Sequence, residues 1–201
     1  MAWRNDQVSE IETQKIIELA RECLSCEGDF VELGCYKGDT SLLLAEVLKG
    51  GAVEEFVENP AKKLWIYDSF EGLPEKNEQD ESTLGVDFKG GELYVTKREV
   101  KERFLRAGLA VPVIKKAWFD ELTQADLPEV IAFSFLDGDF YASIKDSLGL
   151  VGGKMSVGSV LVVHDYNNPA LPGVAKAVDE WMIGQKLQIE TYQSMALIRG
   201  F

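Results

Sequence analysis

The sequence predicts an α/β fold: a doubly wound, mostly parallel sheet of seven strands that closes on an antiparallel C-terminal pair, with helices on both faces. Three observations predict it. Short apolar runs alternate with helical patterns along most of the chain, the order that builds crossover units on a parallel sheet. The runs themselves, "VIAFSFL" and "SVLVV" among them, are continuous rather than alternating, as expected of strands buried on both faces. No repeat, low-complexity tract or Pro/Gly/Ser-rich linker divides the 201 residues, so a single domain over 1–201 is expected.

The elements follow in order. Val8, Ile11, Ile16, Leu19, Ala20, Cys23 and Leu24 recur at three-to-four spacing, which predicts an amphipathic helix over residues 6–26. "DFVELG" is the first strand and "DTSLLLAEVLK" the helix after it. "KLWIYD" and "VPVIKK" are the second and third strands, separated by the helix "TKREVKERFLRAG", which Gly108 stops. "VIAFSFLD" is the fourth strand, "YASIKDSLGLV" a helix and "SVLVVHD" the fifth strand. "PGVAKAVDEWMIGQ" is a helix with proline in its first turn. "LQIETYQ" and "SMALIRG" form the antiparallel pair. Residues 71–95, long, charged and glycine-bearing, interrupt the alternation just after the second strand. A lid over the binding edge is the expectation there, with a disordered segment as the alternative.

Composition narrows the partners. Thirty-four acidic against twenty-one basic residues give a net charge of −13, which repels a phosphate backbone and an anionic bilayer alike. Neither nucleic acid nor a membrane is expected. No apolar run approaches the roughly 18 residues of a membrane span, and the first twenty residues are too polar and acidic for a secretory signal. Cys23, Cys26 and Cys35 are an odd count with no second cluster to complete a zinc site. A reducing cytoplasm is the expected location.

In sheets of this kind ligands bind beyond the carboxyl ends of the strands, and the chemistry-bearing residues lie there. "FVELGCYKGDTS" ends the first strand with Glu32, Gly34 and Gly38, small residues that let a ligand approach the backbone. A dinucleotide fingerprint would place a glycine where Tyr36 stands. The ExGxxxG pattern instead resembles the first motif of class I S-adenosylmethionine-dependent methyltransferases. Asp68, ending the second strand, can accept from both hydroxyls of a ribose or cap a helix. Trp118 and Phe119, after the third strand, can flank an adenine or belong to the core. The fourth strand ends in Asp137 and Asp139, and the fifth in His164, the only histidine of the chain, and Asp165. Oxygen and imidazole donors suit a divalent ion, and unpaired charges at a core edge are costly. The plain alternative has Asp139 capping the following helix and His164 bonding a backbone carbonyl.

The segments "VELGCYKGDTSLLLAEVL", "LWIYDSFEGLPE", "FLDGDFYASIKDSL", "VVHDY" and "PGVAKAVDEW" resemble, in order and spacing, the macrocin O-methyltransferase family, whose members methylate sugar hydroxyls in antibiotic biosynthesis. The resemblance spans about residues 30–182 and implies a Rossmann-like methyltransferase fold with S-adenosyl-L-methionine as cofactor. It implies a methionine pocket shaped by Glu32, Gly34 and Gly38, with Cys35, Tyr36 and Ser41 on the same turn. It further implies a ribose held by Asp68 beside Ser69 and Phe70. Asp137 would bind a magnesium-like ion with the two residues ending the fifth strand, His164 and Asp165, and Asp139 would act as general base. The family pattern at that strand is usually Asp-Asp-Tyr. The imidazole of His164 in this chain shifts the expectation from magnesium toward manganese or another transition metal, or toward loss of the metal.

The expected chemistry is therefore metal-assisted O-methylation of a sugar-like or other small-molecule hydroxyl. Phenol or catechol acceptors, or an inactive cofactor-binding protein, are the alternatives. The N-terminal helix could pack on the sheet or across a homodimer interface.

Overall fold

The computed structural model describes residues 7–51, 62–84 and 88–201. Seven strands, β1 (Asp29–Leu33), β2 (Leu64–Asp68), β3 (Val113–Lys116), β4 (Ile131–Leu136), β5 (Met155–Val163), β6 (Gln188–Tyr192) and β7 (Met195–Arg199), form one sheet in the order β3-β2-β1-β4-β5-β7-β6. β1 to β5 are mutually parallel, and β7 is antiparallel to both its neighbours, β5 and β6. The predicted fold class holds, down to the antiparallel end. Strand order reverses between β1 and β4, so the switch point where such sheets bind ligands lies between the tips of those two strands.

Side chains alternate across the sheet and each set meets its own helices. Phe30, Ile66, Phe133, Phe135 and Val162 face α1 (Glu10–Glu22), α2 (Asp39–Gly51) and α3 (Lys97–Ala107). Val31, Leu33, Tyr67, Leu136 and Val163 face α4 (Tyr141–Val151) and α5 (Pro172–Met182). The first helix packs on the chain's own sheet through Ile16, Leu19 and Ala20, all nearly or fully inaccessible.

The differences from expectation are at the ends of elements, where local hydrogen bonds outrank apolar period. The first helix starts at Glu10, because Ser9 caps it reciprocally with Glu12. It gives way to a 3₁₀ turn over Cys23–Ser25. Residues 1–6, which hold the first position of the predicted helix, lie outside the described residues. β5 begins at Met155, four residues early, and the β4–β5 register shifts between Ile131 and Phe133 to accommodate it. α5 ends at Met182 rather than residue 185. Of residues 71–95, those described carry a 3₁₀ turn over Glu78–Asp80. Asp80 is buried, and its Oδ1 accepts the backbone N–H of Tyr141 at 2.7 Å, so this segment caps α4.

Candidate active site

The turn from β1 to α2 is built for close approach. Gly34 has φ 89°, and a Cβ there would lie 2.0 Å from the Asp137 carbonyl oxygen. The tips of β1 and β4 can therefore touch only through glycine. Asp68, at the tip of β2, stiffens the turn from the side: its Oδ2 accepts the N–H groups of Cys35 (2.9 Å) and Tyr36 (3.1 Å), and its Oδ1 that of Phe70 (2.7 Å). Of the six described non-glycine residues with positive φ, four, Tyr36, Phe70, Asp139 and Asp165, have φ of 44°, 53°, 60° and 59°. They sit just past the ends of β1, β2, β4 and β5, so the costly left-handed backbone gathers where the strands deliver their functional groups.

Behind the turn lies Glu32, which β1's alternation points toward α2. Its Oε2 accepts the Ser41 hydroxyl, while its Oε1, buried, has no hydrogen-bond partner among the described residues. Burial pushes the carboxyl up to about 8 despite the Ser41 bond, and the charges of Asp137, Asp68 and Asp39 add to the effect. Cys35 is likewise buried beside Asp68 and Glu32, which holds its thiol well above the ordinary value.

On the other side of the switch point, β4 extends its ladder with β1, and β5 its ladder with β4, by one step each: Asp137 N–H donates to the Leu33 carbonyl and His164 N–H to the Leu136 carbonyl, both at 2.9 Å. This brings the side chains together. His164 Nδ1 lies 2.9 Å from Asp137 Oδ1 and 3.1 Å from Asp165 Oδ2, and its Nε2 lies 4.0 Å from Glu12 Oε2. Asn168 donates to Asp165 Oδ1 at 2.8 Å and fixes that carboxylate. Burial opposes charge on the His164 ring, but Asp137, Asp165 and Glu12 outweigh it and hold its pKa well above the usual histidine value. Burial, with the Asp137 and Asp165 carboxylates beside it, holds the Asp139 carboxyl well above the carboxylate range.

The plain alternatives fail on geometry. The His164 ring faces carboxylates, not a carbonyl. Asp139 does not cap α4, whose N-cap is Phe140 with no side-chain bond of its own and whose first N–H goes to Asp80.

One crevice, enclosing about 730 Å³ with its open mouth, joins the two halves. Gly34, Tyr36, Asp68, Ser69, Trp118, Phe119, Asp137, Asp139, His164 and Asp165 all line it. Glu32 and Cys35 line a smaller recess that shares Gly34, Tyr36 and Asp137 with it. Gly38, Ser41 and Phe70 line neither and stand behind the wall. Sequence reasoning missed Gln7, which lines both spaces, the Leu73–Pro74 and Leu93 wall from the 71–95 segment, and Glu12. The Ser9-x-x-Glu12 capping pattern was a signal for the last, although it announces a helix start and not a site.

Residues 12–194 match the family described as Macrocin-O-methyltransferase (TylF). The chain belongs to this family. Demethyldecarbamoylnovobiocin O-methyltransferase of Streptomyces niveus is 27% identical over 178 residues, 83% of this chain and 65% of that relative. Mycinamicin III 3''-O-methyltransferase of Micromonospora griseorubida is 26% identical over 161 residues, 77% of this chain and 60% of the relative. The chain thus spans less than two thirds of the length of the curated relatives it matches. Among solved structures, the O-methyltransferase NovP superposes with a TM-score of 0.79 at 23% identity, over 94% of this chain and 78% of that one. CalS11, a calicheamicin methyltransferase, superposes with 0.74 at 20% identity, over 98% and 80%. Both have the same fold.

The residues of this macrocin O-methyltransferase family member fit the groups the family implies. For S-adenosylmethionine, the orphaned Glu32 Oε1 offers an acceptor to an ammonium, and Gly34 leaves the backbone bare. For a divalent ion, donor atoms of Asp137, His164 and Asp165 lie within 4.8 Å of one another. Ligands held about 2.1 Å from a metal sit about 3 Å apart in cis positions, the separations His164 Nδ1 keeps from both carboxylates. The crevice as a whole gathers Asp68, Asp137, Asp139 and Asp165 around a single histidine, a field that favours a cationic sulfonium and a metal cation alike.

Proposed function

We propose that the chain is an S-adenosylmethionine-dependent O-methyltransferase acting on a hydroxyl of a sugar-like or other small natural-product acceptor, with a divalent ion held by Asp137, His164 and Asp165. The observation that carries this reading is the convergence of the Gly34–Gly38 turn, Asp68 and the Asp137/Asp139/His164/Asp165 cluster in one crevice. The relatives support the acceptor class, since their names place them on a novobiocin derivative and on mycinamicin III.

In this reading Glu32, Gly34 and the amides of the turn receive the methionine end of the cofactor, and Trp118 and Phe119 flank its base. Asp68 already accepts three backbone N–H groups. A carboxylate has about four acceptor sites, so it contributes one bond to a ribose and serves mainly to hold the turn. A divalent ion supplies Lewis acidity toward the acceptor oxygen. Asp139 is the proton acceptor. Burial, and then its acidic neighbours, raise its pKa, and positive charge in the cluster lowers it, which readies Asp139 Oδ to take the hydroxyl proton. The described residues of the 71–95 segment act as the lid, with Leu73, Pro74 and Leu93 excluding water.

One observation favours a second reading. Nδ1 separations of 2.9 and 3.1 Å also suit an imidazolium bonded to two carboxylates, in which case His164 itself neutralises the cluster and no ion is needed. Calorimetric titration with S-adenosylmethionine, then with magnesium, manganese and zinc, separates the two. Methylation of a panel of sugar and phenolic acceptors, before and after chelation, then tests the reaction. Cofactor and ion binding with chelator-sensitive turnover is expected. Absence of cofactor binding sinks the proposal, and full turnover after exhaustive chelation removes the ion.

A further inference from the structure

Glu12 is a carboxylate that the reaction does not use, buried at 5% exposure and placed by a different part of the chain from every other acid in the site. It binds three things at once. Its Oε2 accepts the N–H of Ser9 at 3.2 Å and the hydroxyl of Ser9 at 2.5 Å, closing the capping box of α1. Its Oε1 accepts the N–H of Ser194 at 3.0 Å and the hydroxyl of Ser194 at 2.5 Å, in the turn between β6 and β7. Oε2 also lies 4.0 Å from His164 Nε2, on the side of the ring away from Asp137 and Asp165. A capping glutamate normally points into solvent. Here it is enclosed, and the His164 ring lies beside it.

We propose that Glu12 is the positioning residue for His164. It holds the ring so that Nδ1 faces Asp137 and Asp165 while Nε2–H faces the Glu12 carboxylate, which makes docking of α1 a condition for assembling the ion site. The inference rests on the ion-binding reading above. Its physical basis is general: a metal-ligating imidazole uses one nitrogen as donor, and a carboxylate or carbonyl at the other nitrogen sets the tautomer and ring orientation. At 4.0 Å the Glu12 contact is an ion pair and not yet a hydrogen bond, so orientation and charge are what it supplies in this geometry. The N–H and hydroxyl of Ser194, both on Oε1, keep the carboxylate from following its own rotamers, so the ring is held by a fixed partner.

The test compares Glu12→Gln with Ser9→Ala in the full chain. Both weaken the helix cap, but only the first removes the charge opposite Nε2. Manganese and zinc affinities are measured by calorimetry, with S-adenosylhomocysteine affinity and Tm as controls. Because His164 is the only histidine, ¹⁵N-histidine labelling reports its two ring nitrogens alone. The expected result for E12Q is about a 10–100-fold loss of ion affinity, a shifted Nε2–H resonance and cofactor affinity within about twofold of wild type. S9A should match the loss of Tm yet keep its ion affinity. Equal ion affinity in E12Q and wild type, or an equal loss in S9A, overturns the inference while leaving the ion site standing. If wild-type protein takes up neither ion, the ion-binding reading fails and this inference with it.

Discussion

The two halves of the crevice are held by different means. On the β1/β2 side, the Asp68 carboxylate is fixed by three backbone N–H groups, and the turn it supports is shaped by glycine. On the β4/β5 side, Asp137 and Asp165 are fixed by side chains, the His164 ring for both and Asn168 for Asp165. Backbone donors come with the fold and stay in place without a ligand. Side-chain charges need a counter-charge, and here the imidazole or an ion must supply it. The first half is therefore pre-organised by chain path, and the second by charge balance, which makes it the half that pH, metal and single substitutions should disturb most.

Asp137→Ala breaks the second half alone. Turnover is expected to fall by about three orders of magnitude or more, as for loss of a group acting directly in the reaction. S-adenosylmethionine affinity should stay within a few-fold of wild type, and parallel kinetics and calorimetry check the split. Equal loss of both would show that the halves are not separable.

Gly34→Ala breaks the seam between them. A Cβ 2.0 Å from the Asp137 carbonyl, at φ 89°, must push β1 and β4 apart. A loss of at least ~2 kcal/mol is expected, read as a fall in denaturation midpoint together with loss of cofactor binding.

Glu32→Gln sharpens the first half. The folded-state pKa of about 8 stands above the ordinary 4.5, so the folded chain holds a proton that the unfolded chain gives up. Glu32 is thus most favourable to folding below about pH 4.5 and loses that contribution as pH rises toward about 8. The difference in Tm between E32Q and wild type should grow in favour of the variant across this window, while its cofactor affinity drops at every pH. A flat difference would mean that Glu32 is charged in the fold.

Asp80→Ala has the smallest expected effect, since it touches neither half directly. It removes the side chain that caps α4 and should cost about 0.5–2 kcal/mol. Thermal denaturation measures that cost, and proteolysis at residues 71–84 reports whether the segment comes loose.

The parts legible beforehand were those written in local pattern. Asp137, Asp139, His164 and Asp165 stood out because charges at the ends of continuous apolar strands contradict their surroundings. Gly34 stood out because a glycine after a buried strand marks close approach. Asp68 was legible as an acid at a strand tip, but two of its three backbone partners were not, because Cys35 and Tyr36 come from a turn about thirty residues earlier. Glu12 was hidden for a different reason: its local pattern is fully explained by the helix cap, which leaves nothing to suggest that the same carboxylate meets a residue of β5's tip.

The sequence by itself determined which strands are buried, hence that they lie in a parallel, helix-covered sheet and deliver their terminal residues to one edge. Apolar period and capping chemistry act over a few residues, so they are readable from those residues alone. Only the tertiary structure decided which tips meet, which nitrogen of His164 faces the acids, and that α1 contributes Glu12 behind it. Those choices depend on strand order and on Cα paths brought together from the two ends of the chain, where small differences in burial and charge far apart in sequence are summed at one point.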